Sequence, residues 1–294
     1  MPTGVEETQG HFKMSDGFGL FYRSWKTGGE TKKVVVCLHG IDLHSAVFKF
    51  IGERIASDGT EVYALDYRGF GNSKEENLER GDTRNFNRQL EDIVETVRYL
   101  RGASPNAKLF MLAHSIGTTF TLWFAANHQD LIDGMILEAP PVKGNVRVSP
   151  LDLLKIALQA NLSPRTRFDL LSRLPRSFQE RRYKIIMEDP LCPKDYSVSW
   201  LFGVTRNLSG KMLRYAPRVE KPALVIYGEM DDEALPEGVK QLYEKLATKD
   251  KTLRSFAGAD HYLYDTAFVK MTPSYDPVNA EEVVGTVREW LKAH

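Results

Sequence analysis

In the first half of the chain, short apolar runs alternate with longer stretches whose apolar residues recur every three or four positions. Gly19 to Lys26 reads as a strand, bounded by Asp16-Gly17 and Gly28-Gly29. Lys33 to Leu38 is a β-branched run ending at His39-Gly40, the pattern of a strand buried on both faces. Val47 to Ala56 carries apolar residues at helical spacing and stops near Asp58-Gly59. Glu61 to Leu65 is the next strand. Phe86 to Leu100 is an amphipathic helix with Leu90, Ile93, Val94, Val97 and Leu100 on one stripe. Lys108 to Ala113 reads as a strand, Ser115 to Ala126 as a helix and Gly134 to Leu137 as a further strand. This strand–helix alternation predicts an α/β fold, with a mostly parallel central sheet and helices on both faces.

The alternation then stops. Between Lys143 and Arg214 no clear strand is predicted, and four helical stretches are: Leu151 to Ala160, Phe168 to Leu174, Phe178 to Met187 and Val198 to Leu213. Prolines at 150, 164, 175, 190 and 193 separate them. Strand and helix patterns resume at Ala223 to Tyr227, Glu237 to Leu246, Thr252 to Phe256 and Ala280 to Lys292. The expected organisation is a core domain of residues 1–140 and 217–294, interrupted by a helical cap over residues 141–216.

Composition narrows the possible partners. With 294 residues, 42% of them hydrophobic, the chain can bury a large core without staples. Its formal net charge is zero, which argues against a nucleic-acid partner. Cys37 lies in an apolar run and Cys192 in a Pro-flanked loop, so no disulfide framework is expected. Residues 1–13 have no apolar signal-peptide core, and no window approaches the ~18 apolar residues of a transmembrane helix. A cytoplasmic location is the expectation.

The chemistry centres on Ala113-His114-Ser115-Ile116-Gly117, between a predicted strand and a predicted helix. A serine on so sharp a turn projects its hydroxyl from the sheet edge, and the residues two before and two after it must be small. Gly117 meets that need, and Ala113 is one methyl larger than the usual Gly. The plain alternative is a helix N-cap serine. Its partners argue against that. His39-Gly40, Asp66-Tyr67-Arg68-Gly69-Phe70-Gly71-Asn72-Ser73, Gly228-Glu229-Met230-Asp231-Asp232 and Gly258-Ala259-Asp260-His261 each follow the end of a predicted strand. Serine, acid and histidine therefore fall in that order at one sheet edge, where open α/β sheets carry their sites. His39 and His114 are expected to brace the loops, and His11, His128 and His294 to lie at the surface; for His44 pocket and surface both remain open. No histidine pair has zincin spacing, and Gly69-Phe70-Gly71 is too short for a dinucleotide fingerprint, so neither metal nor cofactor is expected.

These motifs, together with Leu137-Glu138-Ala139-Pro140 and Asp189-Pro190-Leu191, resemble the α/β-hydrolase superfamily over about Phe12 to Leu291. The branch most resembled is that of monoacylglycerol lipases, lysophospholipases and serine aminopeptidases. The resemblance implies a Ser115 nucleophile, a His261 base and oxyanion N–H donors at Ile41 and Ile116. It also implies an insertion that acts as a lid over an acyl-binding site. For the acid it gives two rules. Three residues past the strand-ending Gly228 is Asp231; four residues before Pro236 is Asp232. The distance from the strand end fixes where the carboxylate points, so Asp231 is the expected acid.

The expected activity is hydrolysis of a small-molecule acyl ester, such as a monoacylglycerol or lysophospholipid. An amidase or peptidase of the same fold, or a non-catalytic binding protein, are the alternatives. A complete Ser–Asp–His set argues against the last, and a serine at 115 against chemistries that use a carboxylate nucleophile. The segment Lys143 to Arg214 holds fourteen Lys+Arg and six Asp+Glu, a net of +8. That excess suggests peripheral contact with anionic lipid surfaces. Leu153, Leu154, Ile156, Leu158, Trp200, Leu201 and Phe202 exceed what short helices need for their own packing, and some are expected to face an acyl chain.

Overall fold

The computed structural model describes residues 4–57, 59–263 and 277–294. Its eight-stranded sheet has the order β1-β2-β4-β3-β5-β6-β9-β10. These are β1 (Glu6–Lys13), β2 (Gly19–Lys26), β3 (Lys33–Leu38), β4 (Thr60–Leu65), β5 (Lys108–His114), β6 (Gly134–Glu138), β9 (Ala223–Gly228) and β10 (Lys251–Phe256). β1 pairs antiparallel with β2 and β2 with β4; from β4 to β10 every pairing is parallel. β1 escapes the apolar pattern because it is an edge strand, with only Phe12 fully buried among polar neighbours.

Helices α1 (Lys49–Ile55), α2 (Phe86–Ala103), α3 (Gly117–His128), α9 (Pro236–Lys245) and α10 (Pro277–Ala293) cover the sheet. The α2 stripe predicted from periodicity is buried throughout. The central strands are buried on both faces, as β-branched runs under two helical layers should be. Cys37 and Cys192 are both buried, and no disulfide joins them. Among the described residues no helix is long and apolar enough to cross a membrane.

After β3 the chain forms β4 on one side, then crosses to form β5 on the other. The C-terminal ends of β3 and β5 flank the resulting crevice, which is where ligands enter open α/β sheets.

Between β6 and β9 lies the insertion: α4 (Pro150–Leu162), β7 (Arg167–Phe168), α5 (Arg176–Arg181), α6 (Tyr183–Glu188), β8 (Tyr196–Ser197), α7 (Val198–Asn207) and α8 (Met212–Tyr215). Ser149 and Asp152 form a reciprocal capping box at the start of α4, with Pro150 in the first turn. Three sequence expectations change here. Phe168 to Leu174 is not a helix. Arg167–Phe168 pairs antiparallel with Tyr196–Ser197, and a 3-10 turn covers Leu171–Arg173. The Arg167 guanidinium ties this strand to Arg80 O and Asp195, and Asp169 Oδ1 accepts from the Ser172 amide, so local turn bonds displace the helix. The stretch from Phe178 to Met187 breaks at Arg182, whose side chain turns inward. The stretch from Val198 to Leu213 breaks at Leu208, whose backbone leaves the helical region before Ser209-Gly210.

The motif Asp66-Tyr67-Arg68-Gly69-Phe70-Gly71-Asn72-Ser73 brackets the floor of the crevice. Asp66 accepts from the Ser45 amide at 2.6 Å and the Asn72 amide at 2.7 Å. Gly71 has φ 49°, and a Cβ there would strike the Asp66 carboxylate. Arg68 forms a two-pronged pair with Asp92 at 2.7 and 2.9 Å, with both side chains buried. Arg88 also reaches Asp92 at 3.2 Å, so removing Arg68 leaves the buried Asp92 carboxylate with one weaker cationic partner. Arg68→Met is therefore expected to lower unfolding stability by about 1–3 kcal/mol, measured by urea denaturation. Arg68→Met, Asp92→Leu, which removes both charges, should recover much of that loss.

Candidate functional site

Ser115 sits between β5 and α3 with φ 50°, a left-handed backbone that a non-glycine residue adopts at a cost of ~1–3 kcal/mol. Its amide donates to Glu138 O at 2.8 Å, tying the turn to the end of β6. Gly117 is required sterically, because a Cβ there would collide with the Leu38 carbonyl. Ala113 is fully buried in β5 and fits without displacing the turn.

The structure brings Ser115, His261 and Asp231 into one line. His261 Nε2 lies 2.8 Å from Ser115 Oγ, and His261 Nδ1 lies 2.8 Å from Asp231 Oδ2. Asp231 Oδ1 accepts from the amides of Glu233 and Ala234 at 2.9 and 2.8 Å, which fixes the carboxylate's direction. Asp232 points elsewhere, accepting from the Ser177 hydroxyl of the insertion. The position three residues past the strand end is thus the one that meets the imidazole.

Burial alone would disfavour the charged imidazole of His261. The carboxylates of Asp231 and Glu233 outweigh it and raise the pKa above the ordinary histidine value. The neighbouring histidines behave in the opposite way. Burial pushes His39 down to about 4 and His114 well below its ordinary value, so both are neutral near pH 7. His39 Nδ1 bonds Gly40 O at 2.7 Å and holds the loop after β3. The His114 ring stacks at a tilt 5.0 Å from that of His261. His44 is placed between core and insertion. Its Nδ1 accepts from the Ala46 amide, and its Nε2 meets Asp189 Oδ2 at 3.1 Å. The His44 bond is the largest influence on Asp189, whose carboxyl is held down to about 2. His11 is exposed; His128 and His294 rest partly against Trp123 and Trp290.

Ile41 and Ile116 both line a cavity of about 240 Å³ with Ser115 and His261. Among the described residues, neither amide donates a hydrogen bond within the protein. The insertion supplies most of the apolar wall: Val146, Leu153, Ile156, Leu174, Leu201 and Val204. Trp200 is instead core, with its indole N–H donated to Gln89, and Leu154 and Leu158 face outward.

Two residues with a place here went unnoticed in the sequence. Glu233 lines the cavity two positions past Asp231. Arg182, from the break between α5 and α6, is 3% exposed. Its Nη2 is 3.7 Å from Asp260, and its guanidinium carbon lies 4.2 Å above the Tyr262 ring. Asp260 and Tyr262 are the immediate neighbours of His261. The only signal for Arg182 was its place in an Arg-rich run, which reads as a solvated face. Among the described residues, His44, Asp189 and Cys192 have donor atoms within 4.8 Å of one another, the spacing of metal ligands. The His44–Asp189 bond already satisfies two of them.

The raised His261 pKa has a direct observable. In ¹⁵N-detected NMR titration the ring should hold its proton well past pH 6.5. Asp231→Asn should bring the midpoint down, since the largest attraction on the imidazolium is removed. An unshifted midpoint would contradict the charge pairing.

The family described as serine aminopeptidase, S33 (Hydrolase_4), matches residues 29–265. The monoglyceride lipase of Mus musculus is 28% identical over 257 residues, spanning 86% of this chain and 83% of that one. The crystal structure of Paleococcus ferrophilus monoacylglycerol lipase superposes with a TM-score of 0.73 at 25% identity, covering 94% of this chain and 99% of that one. A soluble variant of the Saccharomyces cerevisiae monoglyceride lipase, in complex with a substrate analog, shares the fold at a TM-score of 0.78 and 20% identity, covering 100% and 98%. The sheet order, the strained serine turn and these matches agree, and the chain belongs to the Hydrolase_4 serine hydrolase family of the α/β-hydrolase fold, in its monoacylglycerol lipase branch.

Proposed function

We propose that this protein hydrolyses carboxylic esters of medium-length acyl chains, such as monoacylglycerols, through a Ser115–His261–Asp231 triad. The single observation that carries the reading is the unbroken hydrogen-bond line from Asp231 through His261 to Ser115 Oγ. In its neutral form, His261 Nε2 takes the Ser115 proton as Oγ attacks the ester carbonyl, so turnover should rise with pH as the imidazolium loses its proton. Asp231 keeps the ring oriented and stabilises the imidazolium. The oxygen of the tetrahedral intermediate meets the amides of Ile41 and Ile116, a contribution of several kcal/mol in such sites. The imidazolium then protonates the leaving alcohol, and an acyl-Ser115 remains. Water, deprotonated by His261, releases the acid and restores the hydroxyl. The cavity lies slightly below the ~300–1,000 Å³ of typical small-molecule pockets, which favours medium over long chains in this conformation.

With p-nitrophenyl esters of increasing chain length, turnover should peak at medium length, and fluorophosphonate should label the protein at Ser115. Ser115→Ala should cost ~10⁶ in kcat with the fold intact. More than a few per cent residual activity would remove Ser115 from the nucleophile role.

The insertion also suits contact with a lipid surface. Leu151, Leu154, Leu158 and Leu162 form one outward stripe along α4, and Leu162 is 81% exposed. Leu153 and Ile156, on the same helix, line the cavity. The net charge of +8 across Lys143 to Arg214 adds attraction to anionic headgroups, at about 1 kcal/mol per basic residue near the surface. Co-sedimentation with anionic vesicles should exceed that with neutral vesicles at low salt and converge at high salt. The double change Leu158→Glu, Leu162→Glu should weaken both. Equal weak binding under all conditions would count against a membrane role.

A further inference from the structure

Among the described residues, the cavity wall is apolar except at Ser115, His261, Thr205, Ser209 and one acid, Glu233. That acid is held firmly. Its amide donates to Asp231 Oδ1 at 2.9 Å, and its carbonyl accepts from the Asn145 amide at 2.9 Å. The next residue, Ala234, forms a bridge to Gly144 at the root of the insertion. Among the described residues, the Glu233 carboxylate accepts no hydrogen bond and has no Lys or Arg within salt-bridge range. Among the described residues, no Lys or Arg lines the cavity. A half-buried carboxylate on a mostly apolar wall, without a protein partner, is open to a ligand that supplies a donor.

The acid lies on the side of His261. After Asp231 it is the strongest attraction felt by the His261 ring. The leaving alcohol must lie within hydrogen-bond reach of that same ring to receive its proton. Leu153, Ile156, Leu174, Leu201 and Val204 form the apolar stretch of the wall that suits an acyl chain. Glu233 and His261 thus line the same cavity, with the Glu233 amide bound to the Asp231 carboxylate that holds the His261 ring.

Resting on the ester-hydrolase reading, we propose that Glu233 determines specificity for the leaving alcohol. It accepts a hydrogen bond from an alcohol that carries a second donor, hydroxyl or amine, beside the scissile bond, and it excludes alcohols that carry phosphate. Neutral glycerol esters fit this demand. Lysophospholipids bring an anion into a cavity whose described residues offer an acid and no cation. Burial, only partly opposed by His261, raises the Glu233 carboxyl to about 8, so discrimination against the phosphate ester should strengthen as pH rises through that value and the acid ionises.

The test holds the acyl chain constant and varies the alcohol. Decanoylglycerol, methyl decanoate, the dimethylaminoethyl ester at a pH where its amine is protonated, and decanoylglycerol 3-phosphate are compared by kcat/KM. The wild-type protein should favour the glycerol and aminoalkyl esters over the methyl ester by roughly ten- to a hundredfold, the range of one hydrogen bond to a charged group. The phosphate ester should be the poorest. Glu233→Leu should collapse the glycerol-to-methyl ratio toward one. Glu233→Gln keeps an acceptor without charge, so it should preserve most of the glycerol preference, abolish the aminoalkyl preference and raise the relative rate on the phosphate ester at least tenfold. Ratios unchanged in a folded Leu variant would overturn the assignment of Glu233 while leaving the esterase reading intact. No cleavage of any ester by the wild type would overturn both.

Discussion

The site rests on how closely the start of α3 approaches the end of β3. Only a residue without a side chain at 117 allows that approach, because the Leu38 carbonyl occupies the space a Cβ would need. The close approach forces Ser115 into its left-handed conformation, and the amide bond to Glu138 O keeps it there. It also sets the Ile116 amide beside the loop that carries Ile41. The strain is supported by an unusually dry setting. α3 is buried almost all round, from Thr118 to Ala126, so the surrounding packing opposes relaxation of the turn.

How far the sequence revealed this depends on the kind of signal. Strands buried on both faces and the α2 stripe were legible, since hydrophobic periodicity reports burial directly. The turn at Ser115 was legible because small residues at fixed offsets reflect a steric need. The choice between Asp231 and Asp232 was open by one residue, and the structure separates them through two backbone amides on Asp231 and a serine of the insertion on Asp232. The insertion was least legible. Its breaks at Arg182 and Leu208, and the strand pair formed by Arg167–Phe168, depend on side chains reaching segments far away in sequence. β1 was missed for a different reason: a solvent-facing edge strand has little apolar content to show.

Charge in this protein is arranged by region. The chain as a whole is neutral, yet the insertion is basic and the remainder correspondingly acidic. Around His261 that acidity becomes local. Asp42, buried and accepting from the Tyr262 hydroxyl at 3.0 Å, joins Asp231 and Glu233 around one imidazole. The same field that holds the ring in place favours its protonated form. An ester entering the cavity with a donor for Glu233 would temper that field as it binds, so ligand occupancy and the basicity of the ring are linked through one carboxylate.

Arg182 gives the insertion a hold on the core that its exposed surface does not suggest. The guanidinium reaches past the cavity wall to the two residues on either side of His261, pairing with Asp260 and lying over Tyr262. The insertion is therefore a keystone as well as a cover. Grafting a cap from a relative that lacks an equivalent arginine would leave Asp260 without this charge partner and the His261 segment without one of its props. For this chain, modular exchange of caps to retune substrate range has to carry that one long side chain along with the helices.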